Sequence, residues 1–420
     1  MRQKKFWFVI SGILVLLAMV LMLPTGAVAA GKYKVLHRFT GHDGSDPQGA
    51  LILDPAGNLY GTTAEGGGTM CGCGTVFKLT PNSNGSWTES VLYKFTGGTD
   101  GGDPFGGLIF DAAGNLYGTA QNFGASGFGT VFKLTPNSDG SWKESVLYSF
   151  TGGADGGVPR AGVIFDAAGS NLYGTTACCG AGKRGVVFEL TSNSNGSWKE
   201  SVLYSFTGGA DGSTPYAGLI FDAAGKNLYG TTFLGGVLTS CGMGCGTVFK
   251  LTPNSNGSWT ESVLYSFTSG AGRRPYAGVI FDAAGNLYGT ATKSQKYGTV
   301  FKLTPNSDGS WTESVLHNFT GGKDGSLPYA GLTPDAAGNL YGATVSGGSH
   351  NTKCGSFGCG TVFKLTSIPD GSWAFSALHD FQGLAANPYA GVVLDKAGHL
   401  FGTTTSCVFT CPGAVFEIAP

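Results

Sequence analysis

The side chains able to do chemistry in this sequence come round on a schedule. Asp54, Asp111, Asp166, Asp222, Asp282, Asp335 and Asp395 each sit in one short phrase, and Phe-Asp-Ala-Ala-Gly-Asn-Leu-Tyr-Gly-Thr at 281–290 is one copy. Seven regularly spaced carboxylates could gather cations. Each, however, opens an Ala-Gly turn, where an Asp side chain accepts backbone N–H groups across its own turn. A residue that every turn demands is serving the turn. The histidines offer less: His37, His317 and His379 fill a slot that is tyrosine at Tyr93, Tyr148, Tyr204 and Tyr265, and His399 replaces a turn asparagine. Only His42 and His350 fall in long loops. No Ser-His-Asp or His-cluster spacing is present, although a triad built from distant loops leaves no such spacing.

Two other sets carry more. Ten cysteines come in close pairs, Cys71/Cys73, Cys178/Cys179, Cys241/Cys245, Cys354/Cys359 and Cys407/Cys411. In an exported chain these read as disulfides local to each loop, with zinc shared between neighbouring loops as the alternative. The vicinal pair Cys178-Cys179 is either free or bridged at a cost in peptide strain. The second set follows seven regularly placed prolines: Gln48, Phe105, Arg160, Tyr216, Tyr276, Tyr329 and Tyr389. Aromatic faces with polar neighbours suit sugar rings or other flat ligands, and equally suit packing of their own loops. Gln48, Phe105 and Arg160 break the tyrosine pattern in consecutive units and give the set one distinct side. Asp43, Asp100, Asp155, Asp211 and Asp324 precede glycine in the same loops and read as turn residues, with calcium as a lesser alternative. No metal and no cofactor is expected.

Something must hold these residues in register. The Leu-Tyr-Gly core recurs from Leu59 through Leu116, Leu172, Leu228, Leu287 and Leu340 to Leu400, at intervals of 57, 56, 56, 59, 53 and 60 residues. A fixed period of this size is the signature of a repeat architecture. Each unit reads as four short strands; in the second they are 107–111, 115–120, 129–135 and 142–150. The strands are joined by Gly/Asn/Asp turns, and no window has helical periodicity. The fold class expected is all-β: a seven-bladed β-propeller with four antiparallel strands per blade. The first strand, 33–39, matches the fourth strand of a unit, and the last, 413–419, matches the third. Pairing them closes the last blade with the N-terminal strand and satisfies two open edges. Tryptophans Trp87, Trp142, Trp198, Trp259, Trp311 and Trp373 open the fourth strands and are expected between blade edges.

Because strand direction alternates, the long, variable 2–3 loops and the 4–1 loops share one face. The invariant short turns occupy the other. Variable loops on a rigid scaffold are where binding sits, and all the cysteine pairs and the post-proline ring lie on that face.

Residues 1–30 obey different rules. Arg2, Lys4 and Lys5 precede an apolar run from Phe6 to Leu23 and a small-residue stretch, Ala27 to Ala30. That order is a secretory leader, with an uncleaved anchor as the alternative. The chain has 25 Lys+Arg and 26 Asp+Glu; without the leader's three cations the balance is 22 to 26, or −4. A surface so sparse in charge, with no basic stripe, argues against nucleic acid as a partner.

The phrase "GTVFKLTPNSNGSWTESVLYSFTGG" followed by "AGLIFDAAGNLYGTT" resembles the GloVer-type tandem repeat of exported bacterial proteins, over residues 33–420. That resemblance implies export and a propeller-like array, and brings no activity and no catalytic residues. Family members are often tethered by a C-terminal sorting tail; with the sequence ending at Pro420 in the last strand, no tether is expected here. "NSDGSW" is also similar to the Asp-box of sialidase-type propellers but departs from it, since Asp139 and Gly140 are adjacent. The "IFDAAGNLYG" hairpin resembles those of NHL and gluconolactonase-type propellers. The metal ligands of the latter are missing from "GLIF" and "GVIF". The expectation is a secreted or periplasmic monomer. It would bind a glycan or an extracellular protein through the long-loop face, and would be off the membrane after leader cleavage. The alternative is a glycan hydrolase or lyase using loop carboxylates such as Asp100, Asp155 or Glu65 with Arg160.

Overall fold

Runs of β-branched and aromatic residues punctuated by Gly/Asn/Asp turns become seven four-stranded antiparallel sheets in the computed structural model. The structure describes residues 32–237, 241–268, 272–292, 297–348, 354–383, 385–405 and 412–420. The leader read at 1–30, His350, Cys407 and Cys411 lie outside these. Blade 2 consists of Ile109–Phe110, Leu116–Ala120, Thr130–Pro136 and Trp142–Ser149, paired in that order. The other blades repeat it, and blade 1 starts at Ile52–Leu53. No helix among the described residues is long and apolar enough to cross a membrane.

The innermost strand is shorter than the 107–111 expected, for a packing reason. A Cβ added at Gly106 would lie 2.4 Å from Gly162 N, so the segments entering adjacent inner strands meet backbone to backbone. The glycine of Leu-Tyr-Gly has a different cause. Gly118 pairs with Phe132, and a Cβ there would sit 2.7 Å from the Phe132 ring. The third-strand phenylalanine therefore covers its neighbour strand only because that neighbour has no side chain.

The same phenylalanine joins the blades. Phe95 meets Phe132 edge to face at 5.1 Å, and the relation repeats in Phe150–Phe188, Phe206–Phe249, Phe267–Phe301 and Phe319–Phe363. Phe381–Phe416 and Phe39–Phe77 complete the circle, at 5.1 and 5.0 Å. Each such pair contributes about 0.5–1.5 kcal/mol beyond its buried area. Trp87 and Trp373 pack against Phe401 and Tyr288 of the preceding blades, both at 5.9 Å.

Closure follows the expected pairing. Lys32–Arg38 runs antiparallel to Ala414–Ala419, from Lys32 opposite Ala419 to Arg38 opposite Ala414, and completes the sheet begun by Val393–Leu394 and Leu400–Thr404. The N-terminal strand is thus the outer strand of blade 7.

The aspartate turns behave as their composition requires. Asp111 Oδ1 accepts the Ala113 and Asn115 N–H groups, both at 2.9 Å, while Oδ2 takes the Asn115 amide and the Tyr117 hydroxyl. Burial raises the Asp111 carboxyl, and these hydrogen bonds outweigh it and hold it below the usual range. Blade 3 departs from this. Ser170 lengthens the turn, and Tyr173 donates instead to Glu189 at 2.7 Å, which stands where every other blade but blade 7 has lysine.

Candidate functional site

The 2–3 loop and the preceding inter-blade loop of each blade do meet on one face. Bridges Ser45↔Glu65, Gly102↔Asn122, Gly157↔Cys178, Ser213↔Leu234 and Ser326↔Ser346 tie them together. Of the ten exposed large apolar side chains among the described residues, Met70, Phe123, Val237, Met243, Tyr297 and Phe357 are on 2–3 loops. Exposed apolar surface concentrates where a partner would land.

Each post-proline residue is aimed by the residue before its proline. Asp46, Asp103, Val158, Thr214, Arg274, Leu327 and Asn387 all adopt left-handed backbone, with φ from 53° to 62°. This is unfavourable for β-branched Val158 and Thr214. Two backbone hydrogen bonds hold each one: Val158 N–H donates to Phe128 O at 2.8 Å, and Val158 O accepts from Ala177 at 3.0 Å. A threonine of the preceding blade then fixes the carbonyl just beyond the ring residue. Examples are Thr119 to Ala161 O at 2.8 Å and Thr175 to Ala217 O at 2.9 Å. The sequence gives no hint of this strained position beyond the proline itself.

The seven post-proline residues are all half-buried, and most touch one another. Tyr216–Tyr276, Tyr276–Tyr329 and Tyr329–Tyr389 ring centres lie 5.3, 4.7 and 5.3 Å apart, the last pair stacked at 4°. Arg160 places its guanidinium over Tyr216, Phe105 and Tyr276, at 4.8, 5.0 and 5.8 Å. Phe233 of a 2–3 loop, which the sequence did not single out, backs Tyr216 at 5.0 Å and lies under Arg274 at 5.6 Å. In place of a cation, blade 1 offers an amide and a carboxyl: Gln48 donates to Asp46 at 2.7 Å. Burial raises the Asp46 carboxyl, Gln48 lowers it, and the Glu65 charge raises it. Burial likewise holds the Tyr276, Tyr329 and Tyr389 hydroxyls above the usual phenol value, so they remain neutral donors. The mouth is therefore an aromatic arc with a guanidinium at one end and an amide–carboxyl pair at the other.

Of the loop carboxylates proposed for acid–base work, Asp100 and Asp155 are engaged within their own loops, while Glu65 lies near Asp46 and its charge raises that carboxyl. Each Asp100 oxygen takes two donors: Oδ1 from Thr96 Oγ1 and Gly98 N, Oδ2 from Tyr93 and Thr96 N. Asp155 is bound in the same way by Tyr148, Thr151 and Gly153. Each belongs to its own loop and seam.

Four described cysteine pairs, Cys71/Cys73, Cys178/Cys179, Cys241/Cys245 and Cys354/Cys359, stand at disulfide distance within their loops. Cys73, Cys245 and Cys359 are buried, so the bridges act as small loop cores. In blades 2 and 5, which lack cysteines, Phe128 and Tyr297 press on the equivalent loop glycines, Gly152 and Gly321.

Comparison with known proteins bears on the fold. A putative 6-phosphogluconolactonase from Bacteroides uniformis is 15% identical with a TM-score of 0.52, over 82% of this chain and 88% of that one. An ancestral GH74 enzyme is 12% identical with a TM-score of 0.51, over 88% of this chain and 56% of that one. At such identity the likeness is one of propeller fold. No curated protein matches the sequence significantly. The Gloeobacter/Verrucomicrobia repeat model matches residues 25–176, 139–354 and 295–420, together almost the whole sequence, and the chain belongs to that tandem-repeat family.

Proposed function

We propose that the protein is an exported carbohydrate-binding module, whose ligand lies across the mouth and presents an acidic group to Arg160. The observation that carries this reading is the Arg160 guanidinium. Three rings hold it, and among the described residues no carboxylate, carbonyl or hydroxyl takes its N–H edge. A stacked guanidinium keeps its in-plane fork free for bidentate contact with a carboxylate or sulfate. Beside it, Tyr276, Tyr329 and Tyr389 offer flat apolar faces with neutral hydroxyls, which suits a sugar ring. Asp46 and Gln48 supply an acceptor and a donor for sugar hydroxyls at the far end. The leader sequence and the within-loop cysteine pairs support export.

The test is a screen of mature protein, residues 31–420, on neutral, uronate and sulfated oligosaccharides, with product analysis of every hit. Acidic glycans should bind without turnover. Arg160→Ala and Tyr276→Ala should each weaken binding tenfold or more while leaving the circular dichroism spectrum unchanged. Equal binding of neutral and acidic sugars would contradict the role given to Arg160. No binding to any glycan would contradict the whole reading and leave a protein ligand in its place.

A further inference from the structure

Three donors that no sequence spacing connects meet beside the strand that closes the ring. His37 lies on the N-terminal strand, Asp43 in the loop entering blade 1, and Glu89 on that blade's outer strand, Trp87–Lys94. One possible ligand atom from each lies within 4.8 Å of the other two. His37 Nε2 is 2.9 Å from Asp43 Oδ2, and the two side chains stay 20% and 17% exposed, which leaves a path from solvent. Glu89 Oε1 is sealed from solvent with no hydrogen-bond partner among the described residues. The neighbouring cation, Lys94, directs its ammonium to the His42 carbonyl at 3.3 Å and forms no ion pair with either carboxylate.

The repeat provides its own control. After blades 1, 2 and 3 the His37 slot holds Tyr93, Tyr148 and Tyr204, which donate to Asp100, Asp155 and Asp211. A neutral phenol satisfies the aspartate and brings no strong ligand. His317 does face Asp324, but the position of Glu89 is there Phe375, stacked on the imidazole at 4.2 Å. Beside His379 that position is Tyr33, stacked at 3.9 Å. Among the described residues, imidazole and both carboxylates coincide only at the seam between the N-terminal strand and blade 1.

We propose that His37, Asp43 and Glu89 bind one divalent metal ion that clasps the N-terminal strand to blade 1, and that the ion is zinc. Zinc accepts imidazole nitrogen and carboxylate oxygen together at about 2.0–2.2 Å, with water free to fill a fourth position. Calcium asks for roughly 6–8 oxygens, which this set does not offer. The ion gives Glu89 a partner that the equally unpartnered oxygens of Glu144, Glu200, Glu261 and Glu313, which face no imidazole, do not gain, and it fixes the strand that blade 7 borrows for its outer edge.

Mature protein with its cysteines oxidised is stripped with EDTA and titrated with zinc by calorimetry and thermal unfolding. One equivalent should bind, and zinc at about a hundredfold excess over Kd should raise the Tm by roughly 2–4 °C. His37→Tyr installs the residue carried by four other blades and should keep the circular dichroism spectrum while losing the zinc. Glu89→Gln should weaken binding tenfold or more. The proposal is overturned if the wild type binds no zinc, or if either variant binds it with unchanged affinity and stoichiometry.

Discussion

Gly118 faces the Phe132 ring in a site with no spare volume. Gly118→Ala is expected to destabilise the protein by about 1–3 kcal/mol, the usual cost of overpacking a filled core. Urea unfolding measures this, and an unchanged midpoint would refute the packing account. Titration is legible at the same scale. Burial first, and for the first three the charge of Asp100, Asp155 and Asp211, pushes the carboxyls of Glu144, Glu200, Glu261 and Glu313 up to about 7. The native state therefore holds these protons more tightly than the unfolded chain, whose ordinary glutamate value is 4.5. Their stabilisation is complete below that value and is lost as pH rises through about 7. Tm should fall between pH 5 and pH 8. Replacing the four by glutamine should flatten that fall, and an unaltered profile would show that the shift lies elsewhere.

At the scale of elements, the sequence carried the strands and their turns because each repeat restates them. It carried the closing pair because the two terminal segments copy known parts of the unit. What stayed hidden is three-dimensional: the left-handed pre-proline residue, the support from Phe233, and the aromatic stand-ins for cysteine at Phe128 and Tyr297. A single period cannot reveal contacts between periods. Deleting residues 31–40 should leave Ala414–Ala419 as an open edge and abolish cooperative unfolding or cause aggregation; unfolding identical to the parent would contradict the closure. Reducing the loop cystines should cost much less. A bridge closing a three-residue loop such as Cys71–Cys73 contributes about 1.6 kcal/mol of chain entropy. Mild reduction should therefore lower Tm by a few degrees for each bridge opened and leave the sheets intact by circular dichroism.

The whole molecule makes the mouth. Every blade contributes one residue to it, so neither the arc from Tyr216 to Tyr389 nor the site of Arg160 exists until the ring is closed. The ring positions were legible as residues after prolines, but the convergence of Phe105, Tyr216 and Tyr276 on one guanidinium was not, since it crosses three blade boundaries. The most direct measurement is a double-mutant cycle by calorimetry. The tightest acidic oligosaccharide and its methyl ester are each titrated into wild type and Arg160→Met. Esterification and substitution should each cost tenfold or more, and the two losses should not add, because both remove one contact. Additive losses, or an ester that binds wild type as well as the acid does, would contradict the pairing of Arg160 with the ligand's acidic group.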